Sequence, residues 1–129
     1  RRHSFPTRRS SDLTTVIISG GLKQVVEHVA STLGVDQILT TAELVFNDDG
    51  SFETIVDSGD EMYAKVQLFE SVCAQYEVSS EEAIAVGDGG NDLEIFKKTK
   101  KGILLGNYEK LKDLAWKQVQ SLGEIKELL

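Results

Sequence analysis

Residues 83–93, Ala-Ile-Ala-Val-Gly-Asp-Gly-Gly-Asn-Asp-Leu, constrain the fold more than any other stretch of this chain. Ile84, Ala85 and Val86 form a short apolar run of the kind that builds a buried parallel strand. The chain then breaks at Gly87, Gly89 and Gly90, and the break carries two carboxylates, Asp88 and Asp92. Leu93-Glu94-Ile95-Phe96 follow with helical spacing. A strand, a Gly-rich turn and a helix in that order belong to an open α/β sheet, which binds ligands beyond the carboxyl ends of its strands. Carboxylates on such a turn suit a hard cation such as Mg²⁺, which takes a few carboxylates plus phosphate and water oxygens. The stretch is not an EF-hand loop. Leu93 stands where the sharp-turn Gly is required, and no bidentate Glu follows at the right distance.

Other segments repeat the alternation. Thr14-Thr15-Val16-Ile17-Ile18 is β-branched and apolar, a second buried strand, ending at Ser19-Gly20-Gly21. Leu22, Val25, Val26, Val29 and Leu33 share one face of the helix expected next, with Lys23, Gln24, Glu27 and His28 opposite. Gly34 is placed to stop it. Residues 35–39 read as a strand. Residues 42–46 and 52–56 flank Asn47-Asp48-Asp49-Gly50 and read as a hairpin. Asp60 or Ser58 starts a helix with the stripe Met62, Val66, Phe69, Cys73 and Tyr76. Ser79-Ser80-Glu81-Glu82 has capping-box spacing but room for one turn only. Asn91 is placed to cap a helix to about Lys98, residues 102–105 form another strand, and residues 108–119 read as an amphipathic helix through Leu111, Leu114, Ala115 and Trp116. Ser121 and Glu124 repeat the capping-box pattern. Short apolar strands alternating with helices predict a doubly wound, Rossmann-like parallel α/β sheet.

At 129 residues the chain is one domain or part of one. Its 40% apolar and 27% charged content is that of a globular protein, not a disordered one. A single cysteine, Cys73, excludes an intramolecular disulfide and a Cys-based zinc site, and suits a reducing cytoplasm. No apolar run approaches the length of a membrane span. The net charge is −7, and the first residues supply all the Arg, so the remainder is more acidic still. An acidic body argues against nucleic acid or an anionic membrane as the main partner.

Residues 1–13, Arg-Arg-His-Ser-Phe-Pro-Thr-Arg-Arg-Ser-Ser-Asp-Leu, differ from everything after them. They hold every Arg, the only Pro and no periodic apolar pattern. A basic disordered tail is one reading. The other, which we prefer, is that the string resembles translated sequencing-adapter sequence. It is then foreign and stands outside the fold. Residues 14–129 then form the C-terminal part of a domain whose upstream portion is missing.

Three features stand in order: Ser19 with Gly20 and Gly21, then Lys65, then Asp88 with Asp92. Each alone is weak. Ser before Gly-Gly is most simply a turn or cap, and a lysine on an amphipathic helix is most simply solvated. As a set they resemble the haloacid dehalogenase superfamily, within it the phosphoserine phosphatase-like branch. That family's second motif is a Ser or Thr ending a strand, matched by Ile17-Ile18-Ser19-Gly20-Gly21. Its third is a Lys early in a helix, matched by Tyr63-Ala64-Lys65. Its fourth is a Gly-Asp-Gly-x-Asn-Asp turn, matched by residues 87–92. The resemblance implies a Mg²⁺-dependent phosphomonoester hydrolase acting through an aspartyl-phosphate on a small phosphorylated metabolite, phosphoserine above all. It implies Lys65 and Ser19 as catalytic groups, and Ser19, Gly20, Lys65 and Asn91 as substrate contacts. Asp88 and Asp92 become the metal ligands. The Ser19 hydroxyl and Gly20 N–H can donate to phosphate oxygens at a helix N-terminus, and Lys65 can offset charge on phosphate and nucleophile. Asp92 can ligate the metal or hold its water and Lys65. Asn91 can cap the turn or touch substrate.

One departure matters most. The family's first motif, Asp-x-Asp, supplies nucleophile and general acid/base, and no such motif precedes Ser19. Asp48, Asp49 and Asp57 come too late in the chain. The resemblance therefore implies a sheet lacking its first, central strand, no cap domain, two unpaired strand edges and no catalysis by this chain. A signalling receiver domain also uses Asp, Ser or Thr, and Lys on a doubly wound sheet, but its acids precede its Ser/Thr and Lys, the reverse of the order here. An inert phosphate- or metal-binding regulatory module, and a phosphatase for another small phosphate, stay as alternatives. Lys101-Gly102 replaces the Ala-Gly pair common before that strand in relatives. Residues 97–101 are a solvated, lysine-rich helix end. His28 is read as a polar-face residue, Cys73 and Trp116 as parts of apolar stripes.

Overall fold

The computed structural model describes residues 13–129. The reading of residues 1–13 as foreign thus falls almost wholly outside the described residues. The chain divides after Gly59 into two compact units.

In the first unit, β1 (Val16–Leu22) leads into α1 (Lys23–Ala30), followed by β2 (Gln37–Phe46) and β3 (Phe52–Asp57). The sheet order is β1-β2-β3, with β1 and β2 parallel and β2 and β3 antiparallel. The expected hairpin is present, its turn closed by Gly50 in the left-handed region (φ 89°). Asn47 Nδ2 donates to Ser51 Oγ across the same turn.

The segments expected as two strands, 35–39 and 42–46, are one continuous β2, because parallel pairing with β1 and antiparallel pairing with β3 follow each other along it. The helical stripe of α1 also differs from its period. Val25, Val29 and Leu33 are exposed, and Ala30 is the buried residue. Gln24, expected on the polar face, is instead clamped to β2: its Nε2 donates to the Leu44 carbonyl at 2.9 Å and its Oε1 accepts the Leu44 N–H at 3.0 Å. Helix α1 stops at Ala30, short of Gly34, which nevertheless takes a positive φ in the loop beyond.

The second unit starts with α2 (Glu61–Gln75), capped by Asp60, whose carboxylate accepts the Tyr63 N–H at 3.1 Å. Val66, Phe69 and Cys73 of the expected stripe are buried. A 3₁₀ turn (Ser80–Glu82) with its capping box leads into β4 (Ile84–Gly87), a second 3₁₀ turn (Gly90–Asp92) and α3 (Leu93–Lys98). Then come β5 (Lys101–Leu105), α4 (Glu109–Lys112), β6 (Lys117–Val119) and a last 3₁₀ segment (Leu122–Leu128), with Ser121 and Glu124 again forming a capping box. Strands β4, β5 and β6 are all parallel, in that order.

The long helix expected over 108–119 is cut to one turn. After Lys112 the Trp116 N–H donates to the Gly102 carbonyl at 2.7 Å, and residues 117–119 pair with 103–105. Strand pairing along β5 outweighs the helical period. Trp116 leaves the stripe, lies partly exposed and is flanked by the ammonium groups of Lys101 and Lys117 at 5.1 and 5.5 Å from its ring centroid. The core of this unit joins Phe96, Leu104 and Leu111, all essentially fully buried, with Ala85, Leu93 and Ala115 packed against them.

The fold is thus mixed α/β, as expected, with one all-parallel sheet and one in which a parallel pair is extended by the antiparallel hairpin strand. Strands β1 and β4 each lie at the edge of their sheet among the described residues. No helix among those residues is long and apolar enough to cross a membrane.

Candidate active site

The turn after β4 is built around one buried carboxylate. Gly87 closes the strand, Gly90–Asp92 make a 3₁₀ turn and α3 begins at Leu93. The Asp92 N–H donates back to the Gly89 carbonyl at 3.1 Å, which folds the Asp92 side chain over Gly87. There is no room at Gly87 for a side chain: a methyl would stand 2.6 Å from Asp92 Oδ2 and 2.7 Å from its Cγ. The glycine is therefore required by close approach, not by backbone conformation.

Both oxygens of Asp92 are engaged. Oδ1 pairs with Lys65 Nζ at 2.8 Å, and Oδ2 accepts the Asp88 N–H at 3.2 Å. The Lys65 and Asp92 side chains are only 12% and 11% exposed. The solvated lysine that helical patterning suggests is therefore a largely buried cation on the second turn of α2. Losing one partner of such a pair strands a charge, at about 3–5 kcal/mol for a fully buried case. Lys65 thus fixes Asp92, and Asp92 fixes the backbone of Asp88.

The Asp88 carboxylate is the free end of this arrangement. It is exposed and has no partner among the described residues. Asn91 is also exposed, inside the 3₁₀ turn. The expectation that Asn91 caps α3 is not met: Asp92 holds the N-cap position, with no side-chain capping bond, because its carboxylate is turned to Lys65.

Ser19 and Gly20 belong to the first unit. The strand does not end at Ser19, as expected, but continues to Leu22 through an irregular step. Ser19 pairs with Thr40 and Leu22 with Ala42, so β1 carries one extra residue across the Gly-Gly pair, a bulge. The Ser19 Oγ accepts the Gly21 N–H at 2.9 Å, which holds the hydroxyl beside the bulge just ahead of α1. A methyl on Gly21 would stand 3.1 Å from Val26 Cγ2, so glycine keeps the helix close to the strand.

A Mg²⁺ ion usually takes only one or two carboxylates from a protein and completes its shell with phosphate and water. Asp88, exposed and unpaired, fits that donor set as a direct ligand. Asp92, with both oxygens on protein donors, fits better as the group that orients Lys65 and the turn. No cluster of three or more His, Cys, Asp or Glu side chains forms a metal cage among the described residues. Tyr108, which sequence patterning did not single out, reaches the same turn. A methyl on Gly90 would stand 3.0 Å from its hydroxyl. No local sequence signal marks it, because the contact joins residues on two separate loops.

A buried Lys–Asp pair behind a carboxylate-bearing, Gly-rich turn at the end of a parallel strand defines a class. The chain belongs to the haloacid dehalogenase-like hydrolase family, whose family model matches residues 10–121. Among curated proteins it is similar to the phosphoserine phosphatase of Albidiferax ferrireducens (25% identity; 89% of this chain and 50% of that one). It is also similar to phosphoserine phosphatase SerB2 of Mycobacterium tuberculosis (26%; 88% and 28%). A third relative is a probable phosphoserine phosphatase of Schizosaccharomyces pombe (32%; 79% and 35%). Among solved structures, a phospho-aspartyl intermediate analogue of phosphoserine phosphatase shares the fold (TM-score 0.78, 23% identity, 96% of this chain and 60% of that one). An apo phosphoserine phosphatase follows (TM-score 0.72, 26% identity, 90% and 58%). The chain spans half or less of the length of these curated relatives.

Proposed function

We propose that residues 14–129 are the C-terminal part of the catalytic domain of a Mg²⁺-dependent phosphomonoester hydrolase, acting on a small phosphorylated metabolite, most simply phosphoserine. The observation that carries this reading is the buried Lys65–Asp92 pair behind the exposed Asp88. In phosphoryl transfer, positioning and charge stabilisation supply most of the catalysis, and this turn is organised for both. Lys65 places a fixed positive charge where phosphoryl oxygens gather negative charge. Asp92 holds that charge in place and keeps the turn closed. Asp88 presents the carboxylate for the metal, which when bound neutralises phosphoryl oxygens. Ser19 and the Gly20 N–H contribute donors to phosphate, and Asn91 a substrate contact. The names of the relatives support phosphoserine as substrate, and hence a place in serine formation. The single buried thiol of Cys73 is consistent with a reducing cytoplasm.

The sequence holds no Asp-x-Asp ahead of Ser19. A family member needs that pair for the nucleophile and the general acid/base, so the 129-residue chain is predicted to bind Mg²⁺ and phosphate without turnover. Purified chain should show Mg²⁺-dependent phosphate binding by calorimetry, lost in Asp88→Asn, and no release of p-nitrophenol from p-nitrophenyl phosphate. Metal-dependent turnover would refute the inactivity. Phosphate binding that ignores both Mg²⁺ and Asp88→Asn would refute the site. Phosphoserine hydrolysis by the chain extended with its upstream genomic sequence separates a phosphatase from an inert binding module. A native reading frame running through residues 1–13 would remove the foreign-segment reading.

A further inference from the structure

Tyr108 follows β5 in the loop 106–108 and ends with its phenol against the Asp88–Asp92 turn. A methyl on Gly90 would stand 3.0 Å from the Tyr108 Oη, 3.6 Å from Cζ and 3.9 Å from Cε2, so the absence of a side chain at Gly90 makes room for the hydroxyl. The loop that carries Tyr108 is tied down. Gly106, at φ 103°, turns the chain out of β5, and its N–H donates to the Val119 carbonyl at 2.9 Å. Gln118 Nε2 donates to the Gly106 carbonyl at 2.7 Å and to Asn107 Oδ1 at 3.2 Å, and Gln120 Nε2 reaches the same carbonyl at 3.4 Å. Tyr108 is 37% exposed, and its hydroxyl has no hydrogen-bond partner among the described residues. Core packing alone needs only the ring, and the hydroxyl stands free beside the carboxylate turn.

Chemistry narrows what the hydroxyl meets. Asp88 only accepts hydrogen bonds when ionised, and Lys65, which gives one N–H to Asp92, brings its remaining donors together with a full positive charge. A neutral O–H beside the turn adds a donor without adding charge. We propose that Tyr108 is a substrate-contacting residue that donates its hydroxyl to an oxyanion of the bound phosphomonoester. This rests on the phosphatase reading above. Two oxyanions are possible on such a substrate, the phosphoryl group and a carboxylate on the alcohol portion.

The test uses the full chain and its Tyr108→Phe variant, titrated by calorimetry with Mg²⁺ alone, then at saturating Mg²⁺ with inorganic phosphate and with L-phosphoserine. Tyr108→Phe should leave Mg²⁺ affinity unchanged and weaken phosphoserine about tenfold, the scale of one hydrogen bond to a charged group on a partly solvated surface. Equal weakening of inorganic phosphate identifies the phosphoryl group as the acceptor. Weakening confined to phosphoserine identifies the carboxylate. The ¹³Cζ resonance of Tyr108 should shift on ligand addition, which a purely structural ring would not do. If Tyr108→Phe binds both ligands as the wild type does, the Tyr108 proposal falls and the phosphatase reading stands. If the wild-type chain binds neither ligand with Mg²⁺, both fall. Parallel loss of Mg²⁺ affinity and melting temperature in Tyr108→Phe would mark the residue as structural and overturn the proposal.

Discussion

Replacing Gly87 by Ala tests the packing that organises the turn. The new methyl would lie 2.6, 2.7 and 2.8 Å from Oδ2, Cγ and Cβ of Asp92, where ordinary contacts begin at 3.4 Å. Asp92 must therefore retreat by about 0.8 Å. It cannot do so freely, because it is 8% exposed and its Oδ1 sits 2.8 Å from Lys65 Nζ. A shift of that size away from Lys65 takes the pair past the roughly 3.2 Å limit of a good N–H···O bond. Overpacking costs about 1–3 kcal/mol, and a hydrogen bond to a charged group is worth about 1.5–3 kcal/mol. With partial relaxation, a loss of about 3 kcal/mol is expected, out of the roughly 5–15 kcal/mol typical of a domain. Urea unfolding followed by far-UV circular dichroism reads it as a lower midpoint at unchanged slope. Gly89→Ala is the control: it has extended backbone (φ −154°) and nothing within 4 Å of the new methyl, so it should lie within about 0.5 kcal/mol of wild type. A Gly87→Ala variant as stable as Gly89→Ala would refute the close-packed turn and the ordering role given to Asp92.

Leu111→Ala, which empties a fully buried position of the second unit's core, should cost about 2–5 kcal/mol in the same unfolding assay. Burial, reinforced by the nearby Glu70 charge, pushes the Cys73 thiol above its ordinary 9.0. The thiol should react with a disulfide reagent at pH 8 only as fast as the chain unfolds. Because the folded state holds that proton more tightly, its contribution to stability is complete below about pH 9 and declines as pH rises further. The Glu82 carboxyl is held below its ordinary 4.5 by hydrogen bonds from the Ser79 backbone and side chain. That contribution is present above about pH 4.5 and is lost as the pH falls through the lowered value, so Glu82→Gln should flatten the acid limb of the stability profile measured by thermal melts.

Local chemistry made much of the fold readable. The apolar run before Gly87, the hairpin turn ending at Gly50, the Asp60 cap and both capping boxes depend on residues within a few positions of each other, and each appears where patterning places it. The burial expected of the run does not hold, because Ile84 and Val86 are exposed on a strand at the sheet edge among the described residues. The order of Ser19, Lys65, Asp88 and Asp92 likewise sufficed to point to the family that the chain joins. Other elements escaped a local reading. Strand β6 hides in a helical period because its stability comes from parallel pairing with β5, and Gln24 looks solvent-facing because its partner, Leu44, lies on a different strand.

The sequence alone determined which chemical groups residues 14–129 carry: two acids on a glycine turn, Lys65 on a helix ahead of them and one serine before a Gly-Gly. Residue type and order are complete in one dimension. Tertiary structure decided what each group is free to do. It buried Lys65 against Asp92, left Asp88 open, made Gly87 a necessity of space and brought Tyr108 to Gly90. The Lys65–Asp92 and Tyr108–Gly90 contacts join residues far apart in the chain, and even the Gly87–Asp92 contact inside the turn is set by the folded geometry, where burial strengthens an ion pair and a missing side chain becomes room for another residue.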